Sequence, residues 1–185
     1  MIASEQIPKD ELVELCRKGD QSGYKRLYMQ YARAMYNTSL RILNNDSDAE
    51  DILQEAFIDA FRSLNNFEYR STFGAWLKRI VINKSINLLK SRKHVTISFD
   101  EQVELLSTEE SNYDDDFEFR IEKIRDAIRH LPDGYRTVLS LYLVEGYDQE
   151  EIASIMGITH STVRTQYMRA KQRLISQLKA TKNEN

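Results

Sequence analysis

Residues 148–174 read DQEEIASIMGITHSTVRTQYMRAKQRL. Asp148 and Glu151 have the D-x-x-E spacing that caps the start of a helix, Gly157 supplies a sharp break, and Thr159 can cap a second helix. Apolar residues of both helices fit an internal core: Ile152, Ala153, Ile155, Ile158 and Val163. Two helices joined by a glycine turn within about 25 residues form the helix-turn-helix pattern.

The second helix of this motif carries bases and no acids. In a helix-turn-helix, the second helix lies in the major groove and its first turns contact base edges. Arginine can pair in two places with guanine, and serine or threonine can contact phosphate or base. The outward-facing residues expected to contact DNA are His160, Ser161, Thr162, Arg164, Thr165, Tyr167, Arg169 and Lys171. A bundle that merely contains a helical hairpin is the alternative, and the missing acids disfavour it.

Composition predicts an all-α protein. Only six glycines and two prolines occur in 185 residues, and the 41% apolar content is enough to bury real cores. Cys16 is the only cysteine, so no internal disulfide can form, and the three histidines have no metal-ligand spacing. We therefore expect no metal and no cofactor. The sequence lacks a signal peptide and an apolar run long enough for a membrane span, which predicts a cytoplasmic protein without membrane insertion.

Charge is segregated along the chain although the net charge is only -3. Residues 69–93 hold seven Lys or Arg and no acid, residues 99–118 hold nine Asp or Glu and no base, and residues 160–182 hold six bases and no acid. The acidic stretch has no sustained helical or strand period, which is typical of a flexible linker. The predicted organisation is a helical domain over 1–95, an acidic linker over 96–119 and a helix-turn-helix domain over 120–185.

The first domain is predicted to contain an amphipathic helix over Asp48–Leu64, with Ser47 and Glu50 in capping-box spacing. Apolar residues recur at intervals of three and four and predict its buried face: Ala49, Ile52, Leu53, Ala56, Phe57, Ala60, Phe61 and Leu64. The opposite face presents Asp51, Gln54, Glu55, Ile58 and Arg62, an apolar residue among charges. Such a face is either merely solvated or a docking surface.

The second domain is predicted to begin with a helix that ends where Pro132 and Gly134 force a turn. Its expected inward face consists of Ile121, Ile124, Ala127, Ile128 and Leu131. A further helix is predicted over residues 135–147, ending near Gly146.

Aromatic residues are interleaved with bases in the earlier cationic segment. Phe67, Tyr69, Phe73 and Trp76 precede a polar set formed by Lys78, Arg79, Asn83, Lys84 and Asn87. Unpaired DNA is bound in this way, because exposed bases stack on aromatic rings while phosphates attract Lys and Arg. The aromatic residues could instead be buried, and the aliphatic residues between them certainly include core positions.

Three stretches together resemble the sigma-70 family of bacterial RNA polymerase sigma factors, specifically the small extracytoplasmic-function (ECF) group. They are DAEDILQEAFIDAFRSLNNF, STFGAWLKRIVINKSINLLKSRK and LPDGYRTVLSLYLVEGYDQEEIASIMGITHSTVRTQYMRAKQRL. The resemblance covers roughly residues 20–93 and 120–178, and the ordered pair of domains is more specific than either half.

The resemblance implies a non-enzymatic factor that directs core RNA polymerase to promoters. The first domain would then bind the minus-ten element as a melted strand, and the second would read the minus-35 element as a duplex. The helix at Asp48–Leu64 resembles the one that docks on the clamp helices of polymerase, through Asp51, Gln54, Glu55 and Ile58. The loop around residues 65–75 resembles the part that captures a flipped base. Its candidate residues are Phe67, Tyr69, Arg70, Ser71 and Thr72, followed along the helix by Trp76, Arg79, Asn83, Lys84 and Asn87.

The chain departs from the family pattern at two points. Asn87 stands where the family often has aspartate, and the large middle domain of housekeeping sigma factors is absent. The expected partners are core polymerase, promoter DNA and an anti-sigma protein, which in this group is often membrane-bound. The acidic linker is predicted to occupy a cationic channel of polymerase in place of nucleic acid.

Two other functions compete with this one. A stand-alone regulator could bind operators as a dimer through its helix-turn-helix, but the acid-free helix WLKRIVINKSINLLKSRK would then be unexplained. An enzyme could use Asp114, Asp115 and Asp116 to hold a metal, but no histidine, phosphate loop or nucleophile supports such a site.

Overall fold

A computed structural model describes residues 10–93 and 117–180 of the chain. Within these two ranges it contains eight α-helices and no strand, as the composition predicts. The chain divides into two compact units, with the division after Ser91. Most of the predicted acidic linker, including Asp114–Asp116, lies outside the described residues.

The first unit is built around the long central helix α2. Its helices are α1 (Glu11–Arg17), α2 (Gln21–Leu43), α3 (Asp46–Arg62) and α4 (Phe73–Lys93), with a 3-10 turn at Leu64–Asn66. Helix α2 packs against α1 and α3. It meets α4 through the hydroxyls of Ser39 and Ser85, 3.0 Å apart, and through the rings of Tyr31 and Phe73, whose centroids are 5.5 Å apart. The core therefore joins all four helices.

Helix α3 buries most of the predicted apolar stripe: Ala49, Ile52, Leu53, Ala56, Phe57, Ala60 and, just beyond the helix, Leu64 are at most 8% exposed, whereas Phe61 is half-buried. The predicted capping box at Ser47 and Glu50 is wrong. Asn44 ends α2 in the left-handed conformation, and the side chain of Asn45 accepts a hydrogen bond from the backbone N–H of Asp48 at 3.0 Å. The tight turn thus starts α3 at Asp46, two residues before the expected start.

The second unit packs its helices on α8. It consists of α5 (Phe117–Arg129), α6 (Asp133–Leu139), a π-helical turn (Ser140–Val144), α7 (Gln149–Met156) and α8 (His160–Ala180). Leu131, Leu139 and Ala170 form a buried cluster against which Tyr135, Tyr167 and Leu174 pack. Helices α5, α6 and α7 all contact α8.

Three details of this unit differ from the sequence-based expectation. Helix α5 begins at Phe117, inside the predicted linker. Ile124, expected to face inward, is 39% exposed. Gly134 lies inside α6, because the extended backbone of Pro132 (φ -52°, ψ 147°) makes the break on its own.

The predicted helix-turn-helix is confirmed in its local geometry. The Asp148 carboxylate accepts from the Glu151 N–H at 2.8 Å, and the Glu151 carboxylate accepts from the Asp148 N–H at 2.9 Å. Gly157 ends α7 in the left-handed conformation, at φ 63°. The Thr159 hydroxyl then accepts from the Thr162 N–H at 3.2 Å and caps α8. These contacts start α7 at Gln149, end it at Met156 and start α8 at His160.

Candidate nucleic-acid and polymerase interfaces

Helix α8 presents a polar face that carries most of the residues predicted to contact duplex DNA. Val163 and Ala170, both 0% exposed, anchor its inner side. At 100° per residue, the exposed side chains of His160, Ser161, Arg164, Thr165 and Lys171 fall within an arc of about 140°. Such an arc matches the side of a recognition helix that faces a major groove.

The other three predicted residues of α8, which are Thr162, Tyr167 and Arg169, lie outside this arc. Arg169 is exposed but lies beyond that arc, and Thr162 is half-buried, its hydroxyl 2.8 Å from that of Thr159. The ring of Tyr167 packs against the buried cluster and lies 4.8 Å from the Tyr142 ring. Met168, 51% exposed, sits in the middle of the arc. Sequence reasoning missed Met168 because it selected polar side chains, yet an apolar side chain there can contact a thymine methyl.

The first unit has an open cleft between the loop after α3 and the start of α4. Its volume is about 300 Å³, and Asn66, Phe67, Glu68, Arg70, Ser71 and Trp76 line it. The ring centroids of Phe67 and Trp76 lie 5.1 Å apart, so aromatic surface forms one wall. The Arg70 guanidinium lies 2.7 Å from the Glu68 carboxylate, with both side chains largely in solvent. A flat apolar wall beside polar groups can hold an unstacked base.

The predicted loop residues divide into those that line this cleft and those that support it. Arg70, Ser71 and Trp76 line it, as does Phe67, although that residue is only 4% exposed. The Tyr69 hydroxyl donates to the Glu14 carboxylate at 2.7 Å and so points to α1, away from the cleft. The Thr72 hydroxyl accepts from the Ala75 N–H at 3.2 Å and starts α4. Asn66 and Glu68 also line the cleft, and no periodic signal in the sequence singled them out.

A polar strip continues from the cleft along α4. Trp76, Arg79, Asn83 and Asn87 fall within an arc of about 80° and span about 16 Å of helix axis. Lys84 points to the adjacent side, where its Nζ lies 2.7 Å from the Asp59 carboxylate and 3.1 Å from that of Glu55. The pKa of Lys84 is raised, most strongly by its hydrogen bond to Asp59 and less strongly by that to Glu55. The cation is therefore held against α3 and is only partly available to a nucleic acid.

The outer face of α3 is exposed as the sequence predicts. Asp51, Gln54, Glu55 and Ile58 lie within an arc of about 100°. Ile58 is 48% exposed, which leaves an apolar side chain among carboxylates on a surface that no described residue covers.

The described residues contain no cluster of three His, Cys, Asp or Glu side chains that could hold a metal ion. None of the helices in the described ranges combines the length and the hydropathy needed to cross a bilayer.

Comparison with protein families matches both units. The model of sigma-70 region 2 matches residues 27–95, and the model of sigma-70 region 4 matches residues 121–174. The first match contains the cleft, the α4 strip and the outer face of α3, and the second contains the whole helix-turn-helix. Together they define the sigma-70 class of transcription initiation factor.

Curated relatives match along nearly the whole chain. The RNA polymerase sigma-H factor of Pseudomonas aeruginosa is 32% identical and aligns over 93% of both chains. The ECF RNA polymerase sigma-E factor of Haemophilus influenzae is 30% identical over 91% of this chain and 94% of its own. The chain thus belongs to the ECF group of the sigma-70 family, and its function is promoter-specific transcription initiation with RNA polymerase.

A solved structure shares the fold. The sigma factor RpoE from Bartonella quintana, in complex with the anti-sigma factor NepR, superposes with a TM-score of 0.56 at 23% identity. The superposition covers 84% of this chain and 96% of that one.

Proposed function

We propose that the two units read the two promoter elements in different physical states. Helix α8 reads the minus-35 element as a duplex, and the cleft with the α4 strip holds the minus-ten element as a melted strand. The outer face of α3 docks on the clamp helices of core polymerase. In this proposal the first domain ends near residue 95 and the second begins at Phe117, three residues earlier than the sequence predicts, with the acidic linker between them.

The observation that carries this proposal is the contrast between the two polar surfaces. The α8 arc is acid-free, helical and free of aromatic walls, which suits intact base pairs in a major groove. The cleft offers Trp76 and the small exposed part of Phe67 beside Arg70 and Ser71, which suits a base that has left its stack. Each surface therefore fits one state of DNA and is poorly built for the other.

The acidic balance of the whole chain supports delivery by a larger complex. Attraction to phosphate is independent of sequence and depends on salt, so a strongly basic chain would stay on random DNA. With a net charge of -3, unaided DNA binding is weak and tight binding is left to the polymerase complex. The factor carries out no catalysis itself and acts in the cytoplasm, where polymerase and chromosome lie.

We also propose that an anti-sigma protein holds the factor inactive, by analogy with the Bartonella quintana RpoE in its complex with NepR. Masking the α8 arc or the outer face of α3 would be sufficient for this inhibition.

Reconstituted transcription tests the proposal. Core polymerase plus this chain is expected to start at discrete promoters, whereas a dimeric operator-binding regulator cannot make core polymerase initiate. Binding of holoenzyme to minus-35 duplexes should respond to α8 substitutions only, and binding to minus-ten non-template single strands should respond to cleft substitutions only. If α8 and cleft variants affect both DNA probes alike, the division of labour is wrong.

A further inference from the structure

The short first helix reaches the loop that carries the cleft. The Arg17 guanidinium donates to the Leu64 carbonyl from Nε at 3.3 Å and from Nη2 at 3.2 Å, and Nη2 also donates to the Phe67 carbonyl. Its Nη1 donates to the Glu14 carboxylate at 2.9 Å. One planar cation therefore joins α1 to both ends of the segment that leads into the cleft.

Tyr69 provides a second attachment between this loop and α1. Its hydroxyl donates to the Glu14 carboxylate at 2.7 Å, and the Arg17 guanidinium lies 5.3 Å from the centroid of its ring. Burial and the hydrogen bond to Glu14 raise the pKa of Tyr69 to about 12, so the hydroxyl keeps the proton that it donates. Glu14 is thus shared between Arg17 and Tyr69.

These contacts hold a strained backbone. Tyr69 has φ 57°, in the left-handed region that costs a non-glycine residue about 1–3 kcal/mol. A residue stays in such a conformation only where its surroundings over-determine it. In the sequence Tyr69 stands between Phe67, which forms part of the aromatic wall of the cleft, and Arg70 and Ser71, which also line it. The left-handed conformation of Tyr69 therefore determines how Arg70 and Ser71 lie relative to Phe67.

We propose that Arg17 and Glu14 are positioning residues that hold the loop over residues 64–72 in its base-accepting shape before DNA arrives. Neither side chain lines the cleft, and α1 precedes the residues matched by the region 2 model. The inference rests on the proposed function, because it presumes that the cleft binds a base of the minus-ten strand. Fixing a backbone in one conformation costs about 1–2 kcal/mol per residue. When the loop is already ordered, the free energy of strand binding does not include this cost.

A structural role alone would give a different result. If Arg17 and Glu14 only stabilise the first unit, their loss lowers the free energy of unfolding but leaves strand binding intact wherever the protein is folded. If they position the loop, strand binding falls in a folded protein that still binds polymerase normally.

The main experiment measures binding of holoenzyme to a labelled single-stranded oligonucleotide that carries the minus-ten non-template sequence. Arg17→Ala is expected to weaken this binding about tenfold or more, with unchanged affinity for core polymerase and for minus-35 duplex. Lys18→Ala is the matched control, because it removes the exposed cation that directly follows α1 and should bind as wild type. Arg70→Ala and Ser71→Ala test the cleft itself.

Two substitutions of Glu14 keep the positioning role testable if Arg17→Ala fails to fold. Glu14→Ala removes the acceptor of Tyr69 and should weaken strand binding several-fold, whereas Glu14→Gln keeps an acceptor oxygen and should restore most of it. Trp76, the single tryptophan, gives a spectroscopic check in the free full-length chain. Its emission should move to longer wavelength in Arg17→Ala and not in Lys18→Ala, while the helical circular dichroism stays the same.

The outcomes separate the two proposals. If Arg70→Ala and Ser71→Ala weaken strand binding but Arg17→Ala and Glu14→Ala do not, the positioning role is refuted and the proposed function stands. If none of the four changes strand binding, the cleft is not the strand site and the proposed function fails with it. Loss of strand binding in proportion to loss of helical signal would show a structural role only.

Discussion

Replacing Ile58 with glutamate tests whether the outer face of α3 is the polymerase-binding surface. Complete burial of an isoleucine side chain is worth about 1.5–3 kcal/mol. About half of Ile58 is still exposed, at 48%, so a partner that covers it gains about 0.7–1.5 kcal/mol from this residue. Glutamate loses that gain and adds a carboxylate to the face that already holds Asp51 and Glu55. Removing the new carboxylate from water is costly unless a cation pairs with it. We expect a total loss of at least about 2 kcal/mol, or roughly thirtyfold in affinity.

The fold should tolerate this substitution. Glutamate is a good helix former, and exposed positions away from special contacts usually change stability by less than about 0.5 kcal/mol. The affinity is measured by fluorescence anisotropy, titrating core polymerase into the chain labelled at its N-terminus, and urea unfolding checks the fold. Ile124→Glu is the matched control, since it makes the same change at a residue that is 39% exposed in the second unit. Wild-type affinity of Ile58→Glu, or an equal loss in Ile124→Glu, would refute the assignment.

Three further substitutions test α8, the capping box of the helix-turn-helix and Lys84, which lies beside the α4 strip. Arg164→Ala should weaken binding of holoenzyme to its own minus-35 duplex by about 1–3 kcal/mol if Arg164 pairs with a base, whereas an equal loss on every sequence would assign it to phosphate. Asp148→Ala removes the capping box seen at the start of α7 and should lower the free energy of unfolding of the second unit by about 1 kcal/mol, measured by urea denaturation; an unchanged midpoint would contradict this. Lys84→Ala should change stability by less than about 1 kcal/mol, because its ion pairs lie at the surface. If Lys84 also neutralises a phosphate of the melted strand, Lys84→Ala should reduce the slope of log affinity against log salt by about 0.7, and an unchanged slope would exclude that contact.

Much of the candidate interface could be predicted because it lies on helices. Along α3 and α8, 3.6-residue periodicity separates buried from exposed positions, so the amino-acid sequence alone assigns Ile58 and Arg164 to outer faces. Caps that depend on residues three apart, such as Asp148 with Glu151, are equally local. The prediction at Ser47 was wrong because the left-handed turn at Asn44 ends α2 and leaves Asn45 as the residue that caps α3.

The loop before α4 could not be predicted in the same way. Four residues look alike as candidates in the sequence: Phe67, Tyr69, Ser71 and Thr72. In the structure Phe67 is buried in the wall of the cleft, Tyr69 faces α1, Ser71 lines the cleft and Thr72 caps α4. Arg17 donates to the carbonyl of Phe67, which is 50 residues away in sequence, and no local pattern announces such a contact.

The sequence by itself determined that the chain is helical, that its charge is segregated into acid-free helices and an acidic connector, and that residues 148–174 form a helix-turn-helix. Each of these properties depends on neighbours within a few residues of one another, so it is visible in the order of the amino acids. Only the tertiary structure decided which aromatic residues are buried, that Lys84 pairs with α3, and that α1 holds the cleft loop at Tyr69. Those contacts join distant segments, and packing and hydrogen-bond geometry alone select among the many pairs that the sequence would allow.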